Sequence, residues 1–218
     1  MADTIHYSNR FKDSRRALGY ATRFDQGSRR RINDREQRAV RGIFEAMPHC
    51  RSVLDVPSGA GRFLTVLTQG GREVTEMDIS REILALARQQ ADSLGLQARF
   101  LEGDALRIPL PADSVDAVFC NRLLHHIGSP VDRVAFLREF HRVTRRYLVV
   151  SFFDFRSFGT TRTFFKKLAG RRASFAKHPT QAEFADEAAQ GGFRLLQVVP
   201  TGAFWVAQKY FVLEKTGI

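Results

Sequence analysis

The sequence predicts an α/β fold in which short apolar strands alternate with amphipathic helices around a mostly parallel sheet. The first observation is an apolar run, residues 53–56, that leads into a glycine-bearing turn. The second is that three later runs, residues 73–78, 98–105 and 115–121, also end in small or polar residues. Because the carboxyl ends of parallel strands meet at one edge of a sheet, these residues are expected to line a ligand-binding edge.

The turn after the first strand is the candidate ligand loop. Asp55 lies within the apolar run, and Pro57, Gly59 and Gly61 follow the run. Glycines let a backbone pass close to a ligand while helix N–H groups point at it, although a glycine pair alone is weak evidence for a nucleotide site. The second strand ends in Asp78, 23 residues after Asp55. A Rossmann-like sheet places a ribose-binding carboxylate at a spacing of about 20 residues.

Helix signals separate the predicted strands. Asn33 is expected to cap a helix over residues 34–46, and Ser80 is expected to cap a helix over residues 82–94 that ends at Gly95. The remaining elements are predicted in this order: a short helix over residues 62–69, a helix over 130–143, a fifth strand over 147–153, a helix over 181–191, and two last strands over 193–199 and 205–213.

These motifs resemble the class I S-adenosylmethionine-dependent methyltransferases, in particular the small-molecule branch that includes ubiquinone and menaquinone biosynthesis enzymes. The resemblance covers the chain from Tyr20 to its C-terminus. The family's first motif, acid-x-Gly-x-Gly-x-Gly, corresponds to residues 55–61, with Pro57 in place of the first glycine. The resemblance implies S-adenosyl-L-methionine as the cofactor. It also implies a Rossmann-like seven-stranded sheet, mostly parallel with an antiparallel C-terminal strand, and helices on both faces.

The resemblance also implies roles for the residues around the first two strand ends. Asp55 would orient the glycine loop or reach the methionine ammonium through water. Because an unpaired buried carboxylate is costly, Asp55 is expected to have a partner. Gly59 and Gly61 would contact the cofactor through their backbone, and the Pro57 carbonyl would remain available to its amino group. Asp78 would accept two ribose hydroxyls; the alternative is an acid that only begins the following helix.

Further cofactor contacts are implied at the third and fourth strand ends. Asp104 would contact the adenine amino group, the Ala105 N–H would contact a ring nitrogen, and Ile79 would lie against the ring face. The alternative for Asp104 is an ordinary β-turn. Asn121 would lie near the methionine end of the cofactor through its backbone.

His125 and His126, just after the fourth strand, are the candidate catalytic residues. The sulfonium methyl group is already electrophilic, so the protein mainly has to align the reactants and, for some acceptors, take a proton. The alternative is that these histidines are packed or cap a helix. The fourth strand lacks the Asn/Asp-Pro-Pro-Tyr motif of adenine-N6 enzymes, and the chain lacks a Pro-Cys nucleophile for cytosine C5. Both routes of base methylation are therefore disfavoured.

The chain is predicted to be one domain, residues 1–218, with two additions. Residues 1–48 would form an N-terminal helical cap, in which Tyr20 and Arg23 fold over the cofactor; the alternative is a surface helix with solvated arginines. Residues 155–180 would form a basic, Phe-rich insertion that covers the substrate site. The alternative for the insertion is a solvated helix with core phenylalanines.

The net charge of +11 is concentrated, since residues 1–50 carry +5 and residues 155–182 carry +7. This pattern favours a basic surface that faces an anionic partner. The predicted acceptor is a small-molecule or lipid-linked, acidic compound, with an anionic membrane surface as a further partner. RNA methyl transfer and a non-catalytic S-adenosylmethionine-binding module are the alternatives.

The apolar segments are short and the two cysteines lack metal-ligand spacing, so a cytoplasmic protein without a metal site is expected.

Overall fold

The computed structural model describes residues 27–153, 179–203, 206 and 208–217. Its centre is a sheet of seven strands, which are β1 (Ser52–Asp55), β2 (Glu73–Asp78), β3 (Arg99–Glu102), β4 (Val115–Cys120), β5 (Thr144–Phe153), β6 (Phe193–Pro200) and β7 (Gln208–Lys215). Their spatial order is β3-β2-β1-β4-β5-β7-β6.

Strands β1 to β5 pair in parallel, whereas β7 runs antiparallel to its neighbours β5 and β6. The predicted seven-stranded, mostly parallel sheet with an antiparallel C-terminal strand is therefore confirmed. The chain enters at β1, moves outward to the β3 edge, and then returns to pair β4 with the other side of β1. Ligands bind at such a switch point in open parallel sheets, so the carboxyl ends of β1 and β4 mark the expected site.

Helices cover both faces of the sheet: α1 (Gly27–Glu45), α2 (Leu64–Leu67), α3 (Arg81–Ser93), α4 (Pro130–Val143) and α5 (Gln181–Gln190). Two separate cores result, because successive strand residues point to opposite faces. One core packs under α1 to α3 and includes Phe44, Leu64 and Ala91. The other packs under α4 and α5 and includes Phe140 and Phe184.

Helix α1 begins well before Asn33, so the prediction that Asn33 caps this helix is wrong. Asn33 lies inside α1, where its side-chain oxygen accepts a hydrogen bond from Arg62 Nη1 at 3.1 Å. A residue type that favours caps is tolerated inside a helix when its polar side chain finds another partner. The prediction for Ser80 is confirmed, since its Oγ accepts the Ile83 amide at 3.3 Å at the start of α3.

Several other predicted bounds differ from the structure; β5, for example, begins at Thr144 instead of residue 147. The helix after the glycine turn is a single turn, Leu64–Leu67, because Gly70 and Gly71 soon follow with a φ of 73° each. The last strand runs over Gln208–Lys215 instead of residues 205–213. The bounds predicted for β2 and α4 agree with the structure.

Cys50 and Cys120, the two cysteines of the chain, are buried and unpaired. Burial raises the pKa of the Cys50 thiol to about 11. Over the described part of the chain, no group of three or more His, Cys, Asp and Glu residues is arranged to hold a metal ion. None of the helices described here is long and apolar enough to cross a bilayer.

Candidate functional site

The loop between β1 and α2 lies at the switch point of the sheet. The Val56 N–H donates to a β4 carbonyl at 2.9 Å, and the Ser58 N–H donates to a β2 carbonyl at 2.9 Å. Half-buried Pro57 lies between these two residues. Gly59 and Gly61 then adopt positive φ angles of 59° and 78°. Glycine reaches this conformation without strain, so the two glycines turn the backbone away from the sheet and into α2.

Asp78, at the end of β2, joins this loop to the start of α3. Its Oδ2 accepts the Gly59 N–H at 3.1 Å, and its Oδ1 accepts the Ser80 N–H at 3.0 Å. Burial raises the pKa of Asp78, and the hydrogen bonds from Ser80 and Gly59 oppose this rise. The side chain of Ile79, next along the chain, is 38% exposed. Asp78 therefore holds both the glycine loop and Ser80, the residue that caps α3, and its role in ribose binding stays a prediction.

Asp104 lies just beyond β3 in a tight turn. Its Oδ1 accepts the Leu106 N–H at 2.9 Å, and its carbonyl accepts the Arg107 N–H at 2.8 Å. The preceding Gly103 N–H donates to the Asp78 carbonyl at 3.1 Å, so this turn is attached to the end of β2. Asp104 and Ala105 are half-buried. The β-turn proposed as the alternative for Asp104 is thus present, at the edge where a cofactor contact was predicted.

Asn121, directly after β4, is 9% exposed. Its Oδ1 accepts a hydrogen bond from the Tyr210 hydroxyl of β7 at 3.1 Å. Tyr210 is fully buried, and burial raises the pKa of its hydroxyl well above the usual value. The side chain of Asn121 is therefore held by the core, which leaves its backbone at the carboxyl edge of the sheet.

Asp55 is a buried carboxyl group without a hydrogen-bond partner among the described residues. Its side chain is 1% exposed, and neither carboxyl oxygen has a hydrogen-bond partner in the described structure. Its neighbour on β2, Glu76, is another buried carboxyl group with the same lack of hydrogen bonds. Burial, and then the nearby Glu76, raise the pKa of Asp55 well above its usual value. A buried acid can become neutral instead of finding a cation, so this environment favours a protonated carboxyl group.

Glu36 of α1 connects two loops at the carboxyl edge of the sheet. Its side chain is 1% exposed. Its Oε2 accepts a hydrogen bond from Arg62, in the loop after β1, and its Oε1 accepts one from Arg122, which follows β4. The Gln208 side-chain oxygen of β7 accepts a further bond from Arg122 at 2.9 Å. These residues, here called the Glu36 cluster, attach α1 over the switch point.

We expect Glu36→Gln to lower the free energy of unfolding by about 2 kcal/mol, because the amide loses the equivalent of one charged hydrogen bond. Urea unfolding measures this change. Glu45→Gln is the matched control, since Glu45 is exposed at the end of the same helix and should shift the free energy by less than about 0.5 kcal/mol. Equal effects of the two substitutions would contradict a structural role for the Glu36 cluster.

His125 and His126 lie in a short 3₁₀ turn, Leu124–His126, after β4. Their ring centroids are 4.0 Å apart, and the His125 ring also contacts Phe153 at 4.6 Å between centroids. His125 is half-buried, whereas His126 is exposed. The two rings therefore contact each other, and a catalytic role for either stays a prediction.

Arg133 of α4, which the sequence analysis missed, holds the segment that follows the two histidines. Its guanidinium binds Glu187 of α5 through two hydrogen bonds, of 2.8 and 2.6 Å. It also donates to the carbonyls of Ile127 and Gly128, at 2.7 and 3.2 Å. Arg133 is 2% exposed, so this is a buried ion pair. An arginine on the inner face of an amphipathic helix is the signal that could have revealed it.

Tyr20 and Arg23 lie outside the described residues, as do residues 1–26 of the predicted cap. Residues 154–178, which include nearly all of the predicted insertion, also lie outside them. The roles proposed for these two segments therefore stay predictions.

Comparison with known families places the candidate site in a recognised domain. A methyltransferase-domain profile matches residues 54–149. A demethylmenaquinone methyltransferase of Deinococcus radiodurans is 46% identical over 79 residues, which cover 35% of this chain and 33% of that protein. A malonyl-[acyl-carrier protein] O-methyltransferase of Pectobacterium atrosepticum is 39% identical over 102 residues, which cover 46% of this chain and 37% of that protein. The chain thus spans about a third of the length of these curated relatives.

Among solved structures, magnesium protoporphyrin IX methyltransferase from Synechocystis PCC 6803 with bound SAH has a TM-score of 0.78. The match covers 97% of this chain and 99% of that one at 18% identity. At this level of identity the likeness concerns the fold. The profile match includes the glycine loop, Asp78, Asp104 and the two histidines, whereas Glu36, Glu187 and Tyr210 lie outside it.

Proposed function

We infer from the methyltransferase-domain match and the curated relatives that this chain belongs to the class I S-adenosylmethionine-dependent methyltransferases. From this premise we propose that it transfers a methyl group to a small-molecule or lipid-linked, acidic acceptor. The observation that carries the proposal is the convergence of three strand ends. The glycine loop after β1 is bonded to Asp78 through Gly59, and the turn that contains Asp104 is bonded to Asp78 through Gly103. One continuous set of backbone and carboxylate groups therefore lies along the carboxyl edge.

The described residues fit S-adenosylmethionine, which supplies an electrophilic methyl group when it is bound. A carboxylate has about four acceptor positions. Asp78 uses one on each oxygen for backbone N–H groups, so it can still accept ribose hydroxyls. Ile79 offers an exposed apolar surface beside it for a base. The chain's part is to bind and orient the reactants, and we assign to His125 or His126 the uptake of a proton from the acceptor.

We propose an acidic acceptor because of where the positive charge lies. The described part of the basic N-terminal segment places five exposed arginines on α1: Arg29, Arg30, Arg31, Arg38 and Arg41. Two of the similar proteins are named for demethylmenaquinone and for malonyl-[acyl-carrier protein], an apolar quinone and a carrier-bound acid. We further propose a cytoplasmic location, which the two free thiols support, and an anionic membrane surface as a partner.

The direct test uses S-adenosylmethionine labelled in its methyl group. Purified protein is incubated with cell extract, and the label is then measured separately in lipid, RNA and small-molecule fractions. We expect label in the lipid or the acidic small-molecule fraction, and none above background with Asp78→Ala. Label in the RNA fraction, together with a steep loss of RNA affinity as salt rises, would replace this proposal with RNA methylation. Tight cofactor binding without any labelled product would indicate a non-catalytic binding module.

A further inference from the structure

Three carboxyl groups lie on one face of the sheet, at the ends of β1 and β2. Asp55 is directly opposite Glu76 in the strand register. Asp78 lies two residues after Glu76, and strand residues two apart point to the same face. All three are buried: Glu76 is 0% exposed, Asp55 1% and Asp78 6%. The face is the one covered by α1 and α2, directly beneath the glycine loop.

Only one of these three carboxyl groups is satisfied within the described residues. Asp78 accepts two backbone N–H groups, whereas Asp55 has no hydrogen-bond partner and Glu76 has only the nearby Ser58 hydroxyl, which does not reach regular hydrogen-bond geometry. Arg62 is the cation that acts on Asp55, and its guanidinium is already bonded to Glu36. Further polar groups near the pair are the Ser58 hydroxyl beside Glu76, and the Cys120 thiol of β4 and the Tyr210 hydroxyl of β7, on which the charge of Asp55 acts.

Two buried carboxylates side by side cannot both be ionised at acceptable cost. Each would lose its hydration, and their charges would repel across adjacent strands, which are about 4.8 Å apart. When one of them is protonated, its hydroxyl can donate to the other, and both the desolvation and the repulsion are relieved. Such pairs bind one proton between them and titrate as a unit.

We propose that Asp55 and Glu76 share one proton at neutral pH, and that Glu76 is thereby a positioning residue that sets the charge of the Asp55 carboxyl beneath the glycine loop. Consistent with this geometry, burial raises the pKa of Glu76 to about 8, the nearby Asp78 adds to the rise, and the Ser58 hydroxyl opposes it. The second part of this proposal concerns cofactor binding and rests on the proposed function. Because S-adenosylmethionine is cationic, its binding favours the ionised pair, so the shared proton is released to solvent.

The first experiment needs no cofactor and compares Glu76→Gln with the wild type. The folded-state pKa of Glu76 is about 8 against an ordinary value of 4.5, so between these values the folded protein binds more protons than the unfolded one. Stability of the wild type should therefore fall as pH rises from 5.5 to 8. We expect the melting temperature of Glu76→Gln to fall less over this window. Glu102→Gln, an exposed change at the end of β3, should keep the wild-type slope.

The second experiment measures proton release by titration calorimetry at pH 7, in buffers that differ in ionisation enthalpy. Wild-type protein should release a fraction of a proton on binding S-adenosylmethionine. It should release less on binding the product S-adenosylhomocysteine, whose sulfur carries no charge. Glu76→Gln should release little with either compound. Should Glu76→Gln fail to fold, infrared spectra of wild-type protein containing ¹³C-labelled glutamate and aspartate decide the point. They should show a protonated carboxyl band at pH 7 that is lost above about pH 8.

A Glu76→Gln variant with the wild-type dependence of melting temperature on pH, or the lack of a protonated carboxyl band at pH 7, would overturn the shared proton. Wild-type protein that binds neither S-adenosylmethionine nor S-adenosylhomocysteine would overturn the proposed function instead. In that case the melting and infrared measurements would still decide whether Asp55 and Glu76 share a proton.

Discussion

Asp78→Ala is expected to weaken the binding of S-adenosylhomocysteine by roughly 10²- to 10⁴-fold. The proposed role of Asp78 includes two ribose hydrogen bonds to a charged acceptor, each worth about 1.5–3 kcal/mol. The substitution also removes the acceptor of the Gly59 N–H, so the glycine loop loses its attachment to β2. Titration calorimetry on purified protein measures the change in affinity.

The matched control for this prediction is Glu102→Ala. Glu102 is opposite Asp78 in the strand register, but its side chain is 49% exposed and pairs with Arg81 at the surface. This variant should bind S-adenosylhomocysteine as the wild type does. Urea unfolding of both variants separates loss of binding from loss of folding. If folded Asp78→Ala retains an affinity within about threefold of wild type, a change of roughly 0.7 kcal/mol, the ribose assignment is wrong.

Glu187→Ala is expected to lower the free energy of unfolding by about 3–5 kcal/mol, the usual cost of leaving one buried charge unpaired. Arg133 is 2% exposed and binds Glu187 through two hydrogen bonds, so it has no route to water without displacing the packed helices α4 and α5. Urea unfolding measures this loss. A second consequence concerns the two histidines, because Arg133 also donates to the Ile127 and Gly128 carbonyls that follow them.

A double-mutant cycle with Arg133→Met distinguishes the ion pair from general packing. The double variant should be less destabilised than the sum of the single variants, because no charge remains buried. Asp186→Ala, an exposed change in the same helix, should alter the free energy of unfolding by less than about 0.5 kcal/mol. Additive effects in the cycle would contradict direct coupling between Arg133 and Glu187.

The end of β2 and the bounds of α4 were predicted well because they depend on local patterns. The residues of β2 form a strand-like run that ends in an acid, and the structure ends the strand at that acid, Asp78. Helix α4 begins at Pro130 and ends at Val143 as its pattern indicates. The Asn33 cap was predicted wrongly, since an amide side chain serves equally well as a hydrogen-bond acceptor for Arg62, which lies 29 residues away in the chain.

The sequence by itself determined the α/β architecture, the seven strands and the edge at which Gly59, Asp78 and Asp104 meet. These features follow from hydrophobic period and from the residues at strand ends, which are local properties of the chain. Only the tertiary structure decided the partners of the buried charges. Glu36 meets Arg122 across 86 residues, Arg133 meets Glu187 across 54, and Asp55 lies opposite a second carboxyl group instead of a cation. The physical reason is that a buried charge loses its hydration, so the free energy of burying it depends on the group that folding brings beside it. No local pattern in the sequence specifies that group.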